Sequence, residues 1–329
     1  MHADSGSAQN ETIDKDLPII DCHHHLWIHD GKTYLLPEFS ADLASGHNIV
    51  ATVYVECNSM YRDRGPVPLR SVGEAEFVAS VFAAGERSAT STAVCAGFVG
   101  AADLTLGAEV ETVLDALAAG SNGLLRGVRG AAAWDEDPSI NTGVRPYAPR
   151  GLLRDPRFRE GFAKLAGRGL TYDAWQYHSQ LGDLCELADA FPDTPIIVDH
   201  CGGLVRIARY ANEGNFEYWR SQLASVARRP NTFVKIGGLA PKRCGFAYAT
   251  RERPPTAVEL AKDWRPYIET CVEFFGPDRC MFESNFPVDR VAGTYHSVWN
   301  AFKMCVSSMS HDEKLSLFCN TARHVYRLH

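Results

Sequence analysis

Eight short runs rich in β-branched residues alternate with longer amphipathic stretches along this 329-residue chain, and no other feature restricts its fold so much. The runs are Ile19–His25, Ile49–Glu56, Ala93–Val99, Leu125–Arg129, Leu170–Trp175, Ile196–His200, Thr232–Ile236 and Cys280–Glu283. Between and after them the spacing predicts helices over 71–86, 108–119, 155–168, 180–191, 214–228, 257–275, 291–308 and 311–328. Strand followed by helix, repeated, builds a parallel sheet, and eight such units close it into an α/β barrel of the (β/α)8 TIM type. A doubly wound open sheet is the alternative. It would want a glycine-rich phosphate turn after the first strand, where this chain has histidines instead. No Gly-, Ser- or Pro-rich linker divides the chain. We therefore expect a single barrel domain over 17–329, preceded by a polar, flexible N-terminal tail over 1–16.

Composition narrows the class of function. A net charge of -7 and the lack of any Lys/Arg run argue against a nucleic-acid partner. Met1 to Asp16 carries acids and no apolar stretch, so neither a signal peptide nor a membrane anchor is expected. The ten cysteines form no Cys-x-x-Cys pair and read as reduced core thiols, which suits a cytoplasmic protein acting on small molecules.

The first run ends Asp21-Cys22-His23-His24-His25-Leu26-Trp27. Side chains alternate along a strand, which predicts Asp21, His23 and His25 on one face and Cys22 and His24 on the other. Two imidazoles two residues apart can grip one metal ion. A surface histidine tract or tag remnant is the competing reading, but tags sit at termini among polar residues, and this tract lies between Leu-Pro-Ile-Ile and Leu-Trp.

Ionisable groups also mark the C-terminal ends of the other runs, where a barrel of this type builds its active site. They are Glu56, Arg126 and Arg129, His178 just past the fifth run, His200, Lys235, and Glu283 with Asn285. Each has an ordinary structural reading beside it: Glu56 as a rim ion pair with Arg62 or Arg129, Glu283 as a buried pair with Lys235. Arg62, Arg126, Arg129 and Arg290 suit a carboxylate on the substrate, because a guanidinium fork matches two oxygens. Trp27, Trp134, Trp175 and Phe286 are candidates for an apolar wall or for plain packing. The long connections 134–153 and 237–256 both follow strands and belong on that same face.

Taken in order, Asp21-x-His23-x-His25-Leu-Trp, Tyr54-Val-Glu56-Cys, Gly127-Val-Arg129-Gly, Tyr177-His178-x-Gln180-Leu, Asp199-His200-Cys-Gly202, Val234-Lys235-x-x-Gly238-Leu, Glu283-Ser-Asn285-Phe-Pro287-Val-Asp289 and Asn320-Thr-Ala-x-x-x-Tyr326 resemble the amidohydrolase superfamily. The likeness is to its TIM-barrel metal-dependent hydrolases, the branch with fuconolactonase, 4-sulfomuconolactone hydrolase and 2-pyrone-4,6-dicarboxylate lactonase. It implies His23, His25 and His178 as metal ligands, and His200 as a ligand or a group that polarises the substrate carbonyl. It also implies an aspartate on the eighth strand that takes a proton from the attacking water; here that place holds Asn285, which cannot act as a base. Glu283 or Glu56 then becomes the candidate carboxylate.

The resulting expectation is a hydrolase that opens a lactone or related cyclic ester of an organic acid, with Arg62, Arg126, Arg129, Trp27 and Lys235 around the substrate. A histidine-rich site favours zinc among divalent ions. Some relatives are thought to work without metal, so metal-free operation stays open. A metal-dependent decarboxylase or hydratase of an aromatic-pathway acid, and a barrel that has lost catalysis and only binds, are the rival readings. Pairing into a homodimer is expected from fold analogy alone.

Overall fold

A computed structural model describes residues 11–29, 31–86, 91–143 and 147–328. Eight parallel strands follow one another in chain order around the sheet: β1 (Ile19–His24), β2 (Ile49–Val55), β3 (Ala93–Ala101), β4 (Leu125–Ala131), β5 (Thr171–Trp175), β6 (Ile196–Val198), β7 (Thr232–Ile236) and β8 (Cys280–Phe282). The circle closes between β1 and the segment leaving β8. There the Asn285 N–H donates to the His23 carbonyl at 2.9 Å and the His25 N–H to the Phe286 carbonyl at 2.8 Å. The protein is thus the expected (β/α)8 barrel.

The strands hold together because each buries two faces. Inside, Ile20, Cys22, Val53, Val55, Val99, Ile197 and Met281 form one apolar cluster, which the C-terminal residues Ala322, Val325 and Tyr326 join. Outside, a second and larger cluster packs Ile19, Phe98, Val128, Tyr172, Ile196 and Val234 against the helices. The helix Ala257–Phe275 falls at its expected bounds, started by a capping box of Thr256 and Glu259. The capping box of Ser310 and Glu313 forms as well, but its helix does not run on to 328. A widened turn over Ser316–Asn320 divides it into His311–Leu315 and Thr321–Val325. A short helix, Leu36–Leu43, and a hairpin of Trp27–His29 with Lys32–Tyr34 escaped the reading of the sequence.

Two expectations change. Of the segment read as a loose tail, residues 11–16 are docked: the Ile13 N–H donates to Asn300, and the buried Lys303 ammonium donates to the carbonyls of Ile13 and Asp14 at 2.8 and 3.0 Å. Residues 1–10 lie outside the described part. The simple alternation in β1 also fails, because its pairing with β2 shifts register between Asp21 and His24. Asp21 faces outward, accepting from Ser284 and from the Tyr295 hydroxyl of the helix Tyr295–Cys305. His24 stacks outside on Phe39. Cys22, His23 and His25 all turn inward. A bulge of this kind re-aims side chains, and here it brings one extra residue to the barrel interior.

Candidate active site

At the C-terminal end of the barrel, buried polar side chains replace the apolar lining. Lys235 on β7 donates to Asp173 on β5 at 2.6 Å and lies 3.3 Å from Asp199. Burial alone would strip its proton, yet the carboxylates of Asp173 and Asp199 outweigh that cost and hold its pKa above the ordinary lysine value. The Tyr326 hydroxyl donates to the same Asp173 at 2.8 Å, so the end of the chain anchors this layer from below. The expected pair of Lys235 with Glu283 does not form.

Glu283 instead joins two histidines. One oxygen lies 2.8 Å from His23 Nδ1, and the other lies 2.6 Å from His200 Nδ1 while also accepting the His200 backbone N–H at 3.2 Å. His200 has a left-handed backbone with φ of 55°, as does Cys201 after it, a costly conformation for residues other than glycine. The neighbouring loop makes room for it: a Cβ on Gly238, itself at φ of 59°, would come within 2.3 Å of His200 Nδ1. Burial, then the nearby Asp199 carboxylate, pushes the Glu283 acid up to about 8. Burial also pushes His23, His25 and His200 well below the usual histidine range, so all three imidazoles are neutral.

The tautomers follow from the partners. His25 Nδ1 lies 2.7 Å from the Val55 carbonyl, which can only accept, so Nδ1 carries the hydrogen and Nε2 keeps its lone pair. His23 Nδ1 lies 2.8 Å from Glu283 and 3.3 Å from the Lys235 ammonium, and it is Arg129, a donor only, beside Nε2 that marks Nε2 as the nitrogen with the lone pair. The two Nε2 atoms stand 3.3 Å apart. Ligand nitrogens at about 2.0–2.1 Å from a tetrahedral zinc are separated by about that much. Lone pairs facing each other want a cation or proton between them, and Arg129 Nη1, 3.3 Å from His23 Nε2, supplies a donor. Three buried carboxylates, Glu56, Asp173 and Asp199, also outnumber the two cations Lys235 and Arg129 in direct contact with them. Both observations fit a divalent ion. His23, Asp199 and His200 offer ligand atoms that all lie within 4.8 Å of one another.

His178 is not brought to this group. Its Nε2 pairs with Asn215 Oδ1 at 3.1 Å and its Nδ1 accepts the Val205 N–H at 3.3 Å, which occupies both ring nitrogens. It sits among Tyr210 and Tyr218 beneath the loops, held neutral by burial.

Above the buried layer opens a cavity of roughly 520 Å³, lined by His25, Trp27, Arg129, Trp175, His200 and Asn285 among others. Both long connections contribute, the first through Asn141, Thr142, Gly143 and Tyr147, the second through Pro241 and Arg243. A larger groove of roughly 770 Å³ beside Lys303 and Arg265 contains none of these groups. Asn285 donates its amide to the buried Asp289 at 2.7 Å, which leaves its carbonyl oxygen as the end free to accept. Glu56 pairs with Arg129, at 2.7 Å, rather than with Arg62.

The remaining expected residues lie elsewhere. Arg62 pairs with Glu76 on the surface, and Arg290 pairs with Asp42. Arg126 stands at the opposite end of the barrel, where its side chain and Leu328 flank Gly97. Trp134 packs under Arg150, and Phe286 is buried against Tyr295. Asp173, Asp199, Asp289 and Arg243 were missed. Asp173 left a signal, an acid inside the apolar run Thr171–Trp175, whereas Arg243 is one basic residue among several in a long loop.

The amidohydrolase family model matches residues 20–328. The chain belongs to the amidohydrolase family. It is similar to an uncharacterised protein, y4mH, of Sinorhizobium fredii, at 32% identity over 95% of this chain and 99% of that one. It is 25% identical to an L-fucono-1,5-lactonase of Burkholderia ambifaria over 60% of this chain and 64% of that enzyme. Its fold matches an amidohydrolase of Burkholderia multivorans solved with bound zinc, with a TM-score of 0.72 and 22% identity, covering 94% of this chain and 99% of that one. This amidohydrolase is therefore an enzyme. Among its described residues, no helix is long and apolar enough to cross a membrane.

Proposed function

We propose that this amidohydrolase opens a lactone or related cyclic ester by attack of water, with His200 as general base. The observation that carries this reading is the 2.6 Å contact of His200 Nδ1 with Glu283, made by a histidine whose ring lines the cavity. Once ionised, Glu283 can only accept, which fixes Nδ1 as the protonated nitrogen and leaves Nε2 to receive a proton. The carboxylate lost from position 285 is thus replaced by one that acts through a histidine.

In the reaction so read, His200 Nε2 takes a proton from water as the water oxygen bonds to the acyl carbon, and Glu283 offsets the imidazolium charge. The oxyanion that forms faces the Arg129 guanidinium, a donor held ready by Glu56. Collapse breaks the ring C–O bond, and His200 returns its proton to the departing alkoxide. Trp27 and Trp175 wall the ring from water. His23 and His25, whose Nε2 atoms face each other at 3.3 Å, would hold a divalent ion, and zinc suits imidazole donors. Such an ion, when bound, polarises the carbonyl and brings bound water to a pKa of about 7.

The test is a panel of sugar lactones and carboxylated lactones, followed by indicator for acid release and in parallel for carbon dioxide. One proton per turnover without carbon dioxide is the expected result. Carbon dioxide released from aromatic acids, with every lactone left intact, would replace this reading by a decarboxylase.

A further inference from the structure

Among the described residues lining this cavity, Arg243 is the guanidinium that forms no ion pair with a carboxylate. It is only 8% exposed, lines the cavity with His200 and Arg129, and lies with its guanidinium carbon 4.5 Å from the centre of the Trp175 ring. Its Nη2 donates to the Gly238 carbonyl at 3.2 Å, and its Nε has no partner. Among the described residues no carboxylate oxygen comes within 4.0 Å of it. Every other arginine weighed for a substrate carboxylate is either paired with an acid, as Arg62, Arg129 and Arg290 are, or stands at the far end of the barrel, as Arg126 does.

The buried Asp289 feels the Arg243 charge without a direct ion pair, and a cation withdrawn from water with no counter-charge in contact is costly, which a facing aromatic ring offsets only in part. The missing partner belongs in the cavity. We propose that Arg243 is a specificity residue that binds the carboxylate of an anionic substrate. This rests on the lactone reading above and sharpens it, because it states where the charge sits relative to the reacting carbonyl. Arg243 holds the carbonyl of Gly238, and a Cβ on Gly238 would touch the His200 ring, so one residue of backbone separates the anchor from the base. The carboxylate then belongs on the lactone ring itself or one bond from it, not at the end of a long arm. Trp175, beneath the guanidinium and 5.1 Å from the His200 ring, gives that ring a flat wall.

The experiment uses binding, so it does not depend on finding a hydrolysed lactone. Titration calorimetry compares 2-furoate, tetrahydrofuran-2-carboxylate and benzoate with their carboxamides, on the wild type and on Arg243→Met and Arg243→Lys. The wild type should bind at least one acid about tenfold or more tightly than its amide, Arg243→Met should erase the difference, and Arg243→Lys should restore part of it. Equal affinity for all acids and amides in the wild type, or a preference for the acid that survives Arg243→Met, overturns the proposal. An acid preference erased by Arg243→Met in an enzyme that opens no lactone keeps the subsite and discards the hydrolase. Lactone hydrolysis without acid preference does the reverse.

Discussion

The two ends of the barrel interior share eight strands and one bore, yet they are filled in opposite ways. Toward the N-terminal end, Ile20, Val53, Val99, Ile197 and Met281 pack with the C-terminal residues Val325 and Tyr326. Toward the other end, Lys235 and Arg129 pair with Asp173 and Asp199, and Glu283 meets the neutral His23, in an equally buried space. Apolar packing stabilises at about 25 cal/mol per Å² removed from water, whereas a buried ionic network gains little over apolar residues of the same size. The difference teaches that the lower half holds the barrel together and the upper half is retained for chemistry.

The sharpest way to break this comparison is to change one residue in each half. His25→Asn should lower kcat/KM by about 10²–10⁴-fold while leaving urea stability within about 1 kcal/mol. Met281→Ala should do the converse, costing about 2–5 kcal/mol of stability with kcat/KM within a few-fold at temperatures where the protein stays folded. If both variants lose activity and stability in proportion, the division is wrong.

His178 sharpens the boundary between the halves. Because its nitrogens serve Asn215 and the Val205 N–H, His178→Phe should cost about 1–3 kcal/mol for the groups left unpaired. Bound metal, measured by elemental mass spectrometry, should stay at the wild-type ratio. A variant stripped of metal would return His178 to the ligand set that the family resemblance implies.

Much of this was legible in the sequence, for reasons that differ by residue. Strand order and number follow from the spacing of apolar runs, which is a local signal, and so do His23, His25, His200 and Glu283 at strand ends. The inward turn of both Cys22 and His23 was not legible, since it comes from a register shift between β1 and β2. Nor was the partner of Glu283, because Lys235 finds Asp173 across the barrel, and a choice between acids far apart in sequence is made only by the closed structure. Arg126 and Arg129 are three residues apart in one strand, and that distance alone sends them to opposite ends.

The smallest expected effect concerns a carboxyl outside the reacting group. Glu74 accepts the Tyr54 hydroxyl and the N–H groups of Cys57 and Ser59, which shape the loop after β2, and burial raises its pKa from 4.5 to about 7. The folded protein therefore holds this proton more tightly than the unfolded chain, and stability falls as pH rises through that window. Glu74→Gln should flatten the decline between pH 5 and 7 in urea titrations; an unchanged slope would assign it to other groups.

The most direct test of the central claim sets lactone hydrolysis beside urea unfolding for Glu283→Gln. Wild-type hydrolysis should rise as pH climbs through about 8, where Glu283 gives up its proton. The variant should lose about 10²–10⁴-fold in kcat together with that rise, while its unfolding midpoint is unchanged or higher. Hydrolysis at the wild-type rate with the same pH profile, or a loss explained by a lower unfolding midpoint, would contradict the assignment of the charged end to catalysis.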